Sequence, residues 1–383
     1  MGEVYVAGVG TTRFSRGGAS PADLAHQAVA AALADAGLEA ADVTAIFVGC
    51  AGAGSVPGGD ALSVRLGLRR CGLLAGAGAR AETVSASGAR ALHLAWRAIE
   101  VGLDDVVVCV GAERAPAGAP PGDGPPALLR RRSELARAYM TASGATVEHL
   151  ARTAAKNRRH GARNPQATAT EVHAGAVLES DVVAWPLTRL MVAPRGEGAA
   201  ALVLASARIR RRIAGPRPRV RASVLAQDGG GEDRAALASR AYALAGLGPD
   251  DVDCAELDDV TAAAELAAYE ALAFVPVGHG PELIDTGSTA LGGVLPVNTS
   301  GGLLSLGELD GASGVAQVCE LARQLRGLAR ARQVPGARVG LAQIDGPGED
   351  ATRLVGVTVL TADGSRAASR SPWRAQDAGT PAL

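Results

Sequence analysis

Apolar positions along the chain fall into two alternating rhythms. "EVYVAGVGTTRF" (3–14) is a mostly apolar run that ends in a glycine turn, which predicts a buried strand. "PADLAHQAVAAALADAGL" (21–38) spaces Ala and Leu three and four apart and predicts a helix. "DVTAIFVGC" (42–50) predicts a second buried strand. "AETVSASGARALHLAWRAIEVGLDDVVVCVGAE" (81–113) then reads as a strand end, a sharp turn, a helix over about 87–101 and another buried strand.

The second half repeats this order. "RVRASVLAQDG" (219–229) predicts a strand, and "DRAALASRAYALAGLGPDDVDCAELDD" (233–259) a helix, an "AGL" turn and a strand. "GASGVAQVCELARQLRG" (311–327) mirrors "SASGARALHLAWRAIEVG", and "RVGLAQIDG" (338–346) follows it as "DVVVCVGAE" followed its counterpart. Both halves end in apolar β runs, "AAALVLAS" (199–206) and "LVGVTVL" (354–360). Two matching halves imply an internal pseudo-two-fold, with the two ASG-opened helices buried against each other. The grammar suits mixed-sheet α/β units stacked face to face, not a strictly alternating parallel repeat.

The predicted divisions are an N-terminal half over 1–214, a C-terminal half over 215–362 and a disordered tail over 363–383. An excursion over 115–180 opens with the Pro/Gly loop "APAGAPPGDGPP" and continues as two amphipathic helices, a natural lid over a pocket.

Composition narrows the classes. Aromatics make up 3% of the 383 residues against 50 glycines, so small aliphatic side chains must do most of the packing. A net charge of −1 offers no polyanion-binding surface, and nucleic acid is not an expected partner. "KNRRHGAR" (156–163) is a local basic run, either a solvated helix face or a seat for a phosphate-bearing cofactor. The five cysteines are scattered without a CxxC pair, which predicts reduced, buried thiols and no metal site. No signal-type or membrane-spanning run is seen, so a cytoplasmic protein is expected.

Seven stretches together resemble the thiolase superfamily, in particular the lipid-transfer (sterol-carrier-protein-type) thiolases. They are "ASGARAL" (86–92), "VGAE" (110–113), "KNRRHGARNP" (156–165), "GEGAAALVLAS" (196–206), "AELAAYEAL" (264–272), "TALGGVLPVNTSGGLLSLG" (289–307) and "ARQVPGARVGLA" (331–342). The resemblance implies an α/β thiolase fold: two βαβαβαββ halves in a five-layer α-β-α-β-α sandwich. It also implies CoA or acyl-carrier thioesters as substrates with no tightly bound cofactor. The implied assembly is a homodimer or a heterodimer with a thiolase-like partner, with a small OB-fold protein as a further candidate.

The catalytic positions depart from the family's pattern. Ser85 stands where the nucleophilic cysteine precedes "ASG". "ELDDVTAAAEL" puts Asp258 where the "HDCF" loop carries histidine, and "GELDGASG" (307–314) puts Glu308 in place of the "GHPxGATG" histidine. Gln343 stands where a last Cys or His follows the "VGLA" strand. Lys156, Arg158 and Arg159 are the candidate cofactor-binding residues. Serine needs an adjacent base to act as a nucleophile. Glu308 and Asp258 are the candidate bases, as a coupled carboxylate pair if the fold joins them. Ser85 or Ser87 can equally serve only as a helix cap.

Three functions follow from this set. One is acyl transfer or condensation on acyl thioesters with Ser85 as acyl acceptor. Another is retro-aldol C–C cleavage of a CoA thioester, which needs a base and an enolate stabiliser but no nucleophile. The third is a non-catalytic thiolase-fold subunit of a heteromeric complex.

Overall fold

The structure is a computed structural model that describes residues 2–15, 17–50, 59–74, 80–85, 88–114, 126–227, 234–345 and 354–364. In the first half, β1 (Val4–Thr11), α1 (Pro21–Ala36), β2 (Ala45–Cys50), α2 (Gly59–Arg70) and β3 (Arg80–Ser85) lead into α3 (Gly88–Glu100) and β4 (Val106–Arg114). The excursion carries α4 (Pro126–Ser143), α5 (Val147–Gly161), α6 (Ala174–Leu178) and a short hairpin of β5 (Val182–Ala184) and β6 (Leu187–Thr188). β7 (Glu197–Ser206) and α7 (Ala207–Arg210) close the half. The second half runs β8 (Arg219–Gln227), α8 (Arg234–Ala245), β9 (Cys254–Glu256), α9 (Ala262–Ala271) and α10 (Gly280–Asp285). It ends with α11 (Gly302–Leu306), α12 (Ser313–Leu325), β10 (Val339–Asp345) and β11 (Leu354–Thr361).

The strand order is β3-β2-β4-β7-β1-β8-β11-β10-β9. In the first half β2 pairs in parallel with β3 and β4, while β4–β7 and β7–β1 are antiparallel. In the second half β9–β10 is parallel, and β10–β11 and β11–β8 are antiparallel. The repeat therefore maps β1, β2, β4 and β7 onto β8, β9, β10 and β11. The place of β3 is taken by the Pro296–Asn298 segment, where Ala255 N–H donates to the Pro296 carbonyl at 3.1 Å and Asn298 N–H to the Ala255 carbonyl at 2.8 Å. The halves are also joined in a way the sequence pattern does not announce. β1 and β8 pair at one end, Val4 opposite Val220 and Tyr5 opposite Arg219.

Alternation along the strands builds the layers. On β4, Val106, Val108 and Val110 face a core shared with α1 and α2, while Val107 and Cys109 face a central core. β7 does the same, with Val203 and Ala205 outward and Leu202 and Leu204 inward. A strand buried on both faces reads as a continuous apolar run, which is why "DVVVCV" and "AAALVL" show no polar alternation. α3 and α12 fill the central layer between the two halves, and α8 and α9 cover the far face of the second. Each fully buried Leu or Val is worth roughly 1.5–3 kcal/mol. This is the five-layer thiolase arrangement.

α3 and α12 lie buried and adjacent, as their repeat predicts, because small residues line their starts. A Cβ on Gly111 would lie 1.7 Å from the Gly311 carbonyl oxygen, and one on Gly88 2.4 Å from the same atom. No larger residue fits either place, so the backbones of β4, α3 and the turn before α12 meet directly.

The excursion is less lid-like than expected. The loop over 115–125 lies outside the described residues, but α5 is a core helix. Its Leu150, Ala151 and Ala154 are fully buried against α9 and its neighbours. Of the predicted disordered tail, Asp363 is held by Arg210, and residues 365–383 lie outside the described residues. No helix among the described residues is long and apolar enough to cross a membrane.

Candidate active site

Glu308 sits on the turn between α11 and α12. Gly307, at φ 100°, ends α11 in a conformation that side chains avoid. Glu308 N–H then donates to the Pro194 carbonyl at 2.8 Å. This holds the side chain inward, where its Oε1 accepts from Nη2 of Arg132 on α4 at 2.5 Å. The two side chains are 11% and 9% exposed. The pair is joined at one point only: Glu308 Oε2 and Arg132 Nη1 are both buried without a hydrogen-bond partner.

Two further carboxyls share the space. Glu113 is the penultimate residue of β4, and its Oε2 accepts from the Gly311 N–H at 2.8 Å. Asp310 follows Glu308 by two residues, and its carbonyl accepts from Gly88 N–H at 3.0 Å. The start of α3, the end of β4 and the 308–311 turn thus hold one another within hydrogen-bond reach. Burial pushes the Glu113 carboxyl up to about 8; the Asp310 and Glu308 charges add to the shift, and the Gly311 amide and Arg195 oppose it. Burial and the Glu308 charge raise Asp310 to about 6 against the pull of Arg195 and Arg132. Carboxyls crowded in a dry site cannot all ionise together, so this cluster holds a proton near neutral pH.

The other expected residues divide. Ser85 ends β3 opposite Cys50 of β2, three residues before Gly88. Its side chain lies outside the described residues. Asp258 and Gln343 do come together, since the Asp258 N–H donates to Gln343 Oε1 at 3.3 Å. Glu113 and Asp310 lie near Glu308, whose charge acts on both carboxyls, while the Asp258 charge acts on Asp259. The Asp258 carboxylate accepts from the N–H groups of Val260 at 3.1 Å and Asp345 at 3.0 Å, which stitches the loop after β9 to the end of β10. Gln343 donates to Asp345 Oδ1 at 2.9 Å. Neither Asp258 nor Asp259 is a solvated loop acid; both are buried.

The basic run also needs correction. Lys156 is buried, with Nζ donating to Glu265 Oε1 at 2.7 Å and to the Val297 carbonyl at 3.1 Å. It is bound inside the protein and is not a phosphate seat. Asn157 donates to Asp259 at 2.7 Å, and Asn298 donates to Glu265 at 2.7 Å. One polar knot therefore ties α5, α9 and the loop before α11 together. Arg158 is largely buried near Asp259, and Arg159 points outward to Glu171 at 3.0 Å, so the three cations face different surroundings. His160 in the same run is buried. Its Nδ1 lies 3.0 Å from the Asn298 carbonyl and its Nε2 accepts from Leu291 N–H, and burial drives its pKa down to about 3.

Glu113, Asp310 and Arg132 escaped the sequence reading. Glu113 had a usable signal, a carboxylate closing the otherwise apolar run "VVVCVGAE". Asp310 stands two residues from Glu308 in the same turn. Arg132 gives none, because only folding brings α4 over the turn.

Two duplicated halves with their central helix starts in contact, and titratable groups gathered there, define a protein of the thiolase fold. Residues 4–117 match the family described as thiolase, N-terminal domain, and residues 232–355 the thiolase C-terminal domain-like family; the chain belongs to the thiolase family. It is 32% identical to non-specific lipid-transfer protein-like 2 of Caenorhabditis elegans, over 88% of this chain and 92% of that one. It is 33% identical to an acetyl-CoA acetyltransferase of Methanothermobacter thermautotrophicus, over 89% of this chain and 95% of that one. Among solved structures, the Ltp2-ChsH2(DUF35) aldolase matches with a TM-score of 0.78 and 26% identity, covering 95% of this chain and 99% of that one.

Proposed function

We propose that this protein is a thiolase-fold carbon–carbon lyase that cleaves a CoA thioester by a retro-aldol reaction. The observation that carries this reading is the state of Glu308. One oxygen is anchored by Arg132 and the other is buried and unpartnered, as a positioned base requires. Retro-aldol cleavage asks for a base and for stabilisation of an enolate, and asks nothing of Ser85. The likeness to the Ltp2-ChsH2(DUF35) aldolase supports the same reading. It also supports a small DUF35-type partner, and we place a second thiolase-like chain across β3, which ends the described sheet. Arg158 and Arg159 stand as candidates for contact with the thioester's phosphates.

Acyl transfer through Ser85 is the second reading. It is favoured by one observation: Ser85 lies three residues from Gly88, which bonds the Asp310 carbonyl. The two readings separate in one assay. The protein, alone and with a DUF35-type partner, is incubated with a panel of 3-hydroxyacyl-CoAs and analysed by mass spectrometry. The lyase reading expects a shorter acyl-CoA and a free ketone or aldehyde, with no adduct on the protein. A stable acyl adduct on Ser85, or robust thiolysis of acetoacetyl-CoA, would overturn it.

A further inference from the structure

The Arg132–Glu308 pair presents an unusual face. A planar guanidinium and a carboxylate normally meet at two points, each N–H matched to one oxygen. Here a single bond joins Nη2 to Oε1, which leaves one charged donor, Nη1, and one charged acceptor, Oε2, of the same ion pair buried without a partner. Arg132 is buried and Glu308 is fixed through its backbone to Pro194. A buried polar atom left unpaired costs about 1–3 kcal/mol, and more where the group is charged, so two such atoms on one ion pair point to a place that a ligand completes. The ligand group must accept from Nη1 and donate to Oε2. A carboxylate or ketone cannot donate, and an ammonium cannot accept. A hydroxyl does both.

We propose that the Arg132–Glu308 pair is the seat of the substrate's 3-hydroxyl group, so the substrates are 3-hydroxyacyl thioesters held by that hydroxyl. This deepens the lyase reading and rests on it for the chemical step. In that step Oε2 takes the hydroxyl proton and the C–O bond becomes a carbonyl. The Cα–Cβ bond breaks, and its electron pair passes into the thioester as an enolate. The proton, held in the Glu308–Asp310–Glu113 cluster, is returned to Cα. One 3-hydroxyacyl thioester thus becomes one carbonyl compound and one shorter acyl thioester, with no oxidant, reductant or net proton consumed. Arg132 holds Glu308 in place and donates to the oxygen of the hydroxyl.

The test is equilibrium binding with uncleavable thioether CoA analogues that differ only at C3, as alcohol, methylene or ketone. The unmodified protein is expected to bind the alcohol at least tenfold more tightly than the other two. Glu308→Gln, which keeps the shape of the pair, and Arg132→Met should each reduce that preference to within about twofold, with native circular dichroism showing that the variants are folded. Equal binding of the three analogues by the unmodified protein, or a preference that survives Glu308→Gln, would overturn the seat. If the alcohol preference holds and is lost in both variants while no cleavage of 3-hydroxyacyl-CoAs occurs, the seat stands and the lyase reading alone falls.

Discussion

Glu113 should make this protein lose stability as pH rises, and Glu113→Gln should remove that loss. The Glu113 carboxyl rises from 4.5 to about 8 on folding, chiefly through burial. The folded state therefore binds the proton more tightly than the unfolded chain does. The resulting stabilisation is complete below about 4.5 and disappears as pH climbs through about 8. Within that window one proton of difference is worth about 1.4 kcal/mol per pH unit. Between pH 5.5 and 7.5 the group accounts for about 2–3 kcal/mol of lost stability. Glutamine keeps an oxygen to accept from the Gly311 N–H and has nothing to titrate. Asp310 contributes its own slope, common to both proteins, so it drops out of the difference to first order. The assay is urea unfolding at pH 5.5, 6.5 and 7.5, at fixed protein and salt concentration. The unmodified protein should lose about 2–3 kcal/mol more across this range than Glu113→Gln does. Parallel pH dependences would refute the reasoning, because Glu113 would then carry no proton in the folded protein at these pH values.

Lys156→Met strands the Glu265 carboxylate and should cost about 3–5 kcal/mol by the same unfolding assay, while the affinity of the folded protein for CoA thioesters stays unchanged. Gly111→Ala drives a methyl group into the Gly311 carbonyl and should destabilise by more than about 4 kcal/mol, seen as loss of soluble protein or a collapsed melting temperature. Ser85→Ala should slow 3-hydroxyacyl-CoA cleavage less than about tenfold, whereas Glu308→Gln should slow it at least about a hundredfold. Ser85→Cys should give no thiolysis of acetoacetyl-CoA, because Glu308 stands where the activating imidazole would be.

The sequence by itself determined the duplication, the strands buried on both faces and the pairing of α3 with α12. These follow from local periodicity and from small residues recurring at matching places, which any stretch carries without reference to the rest of the chain. It also marked Glu308, because the glycine-framed turn "GELDGASG" is a local feature. What it could not decide was which charges meet. Asp258 and Glu308 look alike in sequence, yet one carboxylate is consumed by the N–H groups of Val260 and Asp345 while the other faces a guanidinium. The basic run "KNRRHGAR" promised a surface seat, and helix geometry turned Lys156 into the core toward Glu265 while Arg159 points out. Glu113, Arg132 and Asp310 come from a strand end, an inserted helix and a turn, separated by up to 197 positions. The protonation of Glu113 and Asp310 depends on burial and on neighbouring charge, and both of these exist only once the two halves have closed on each other.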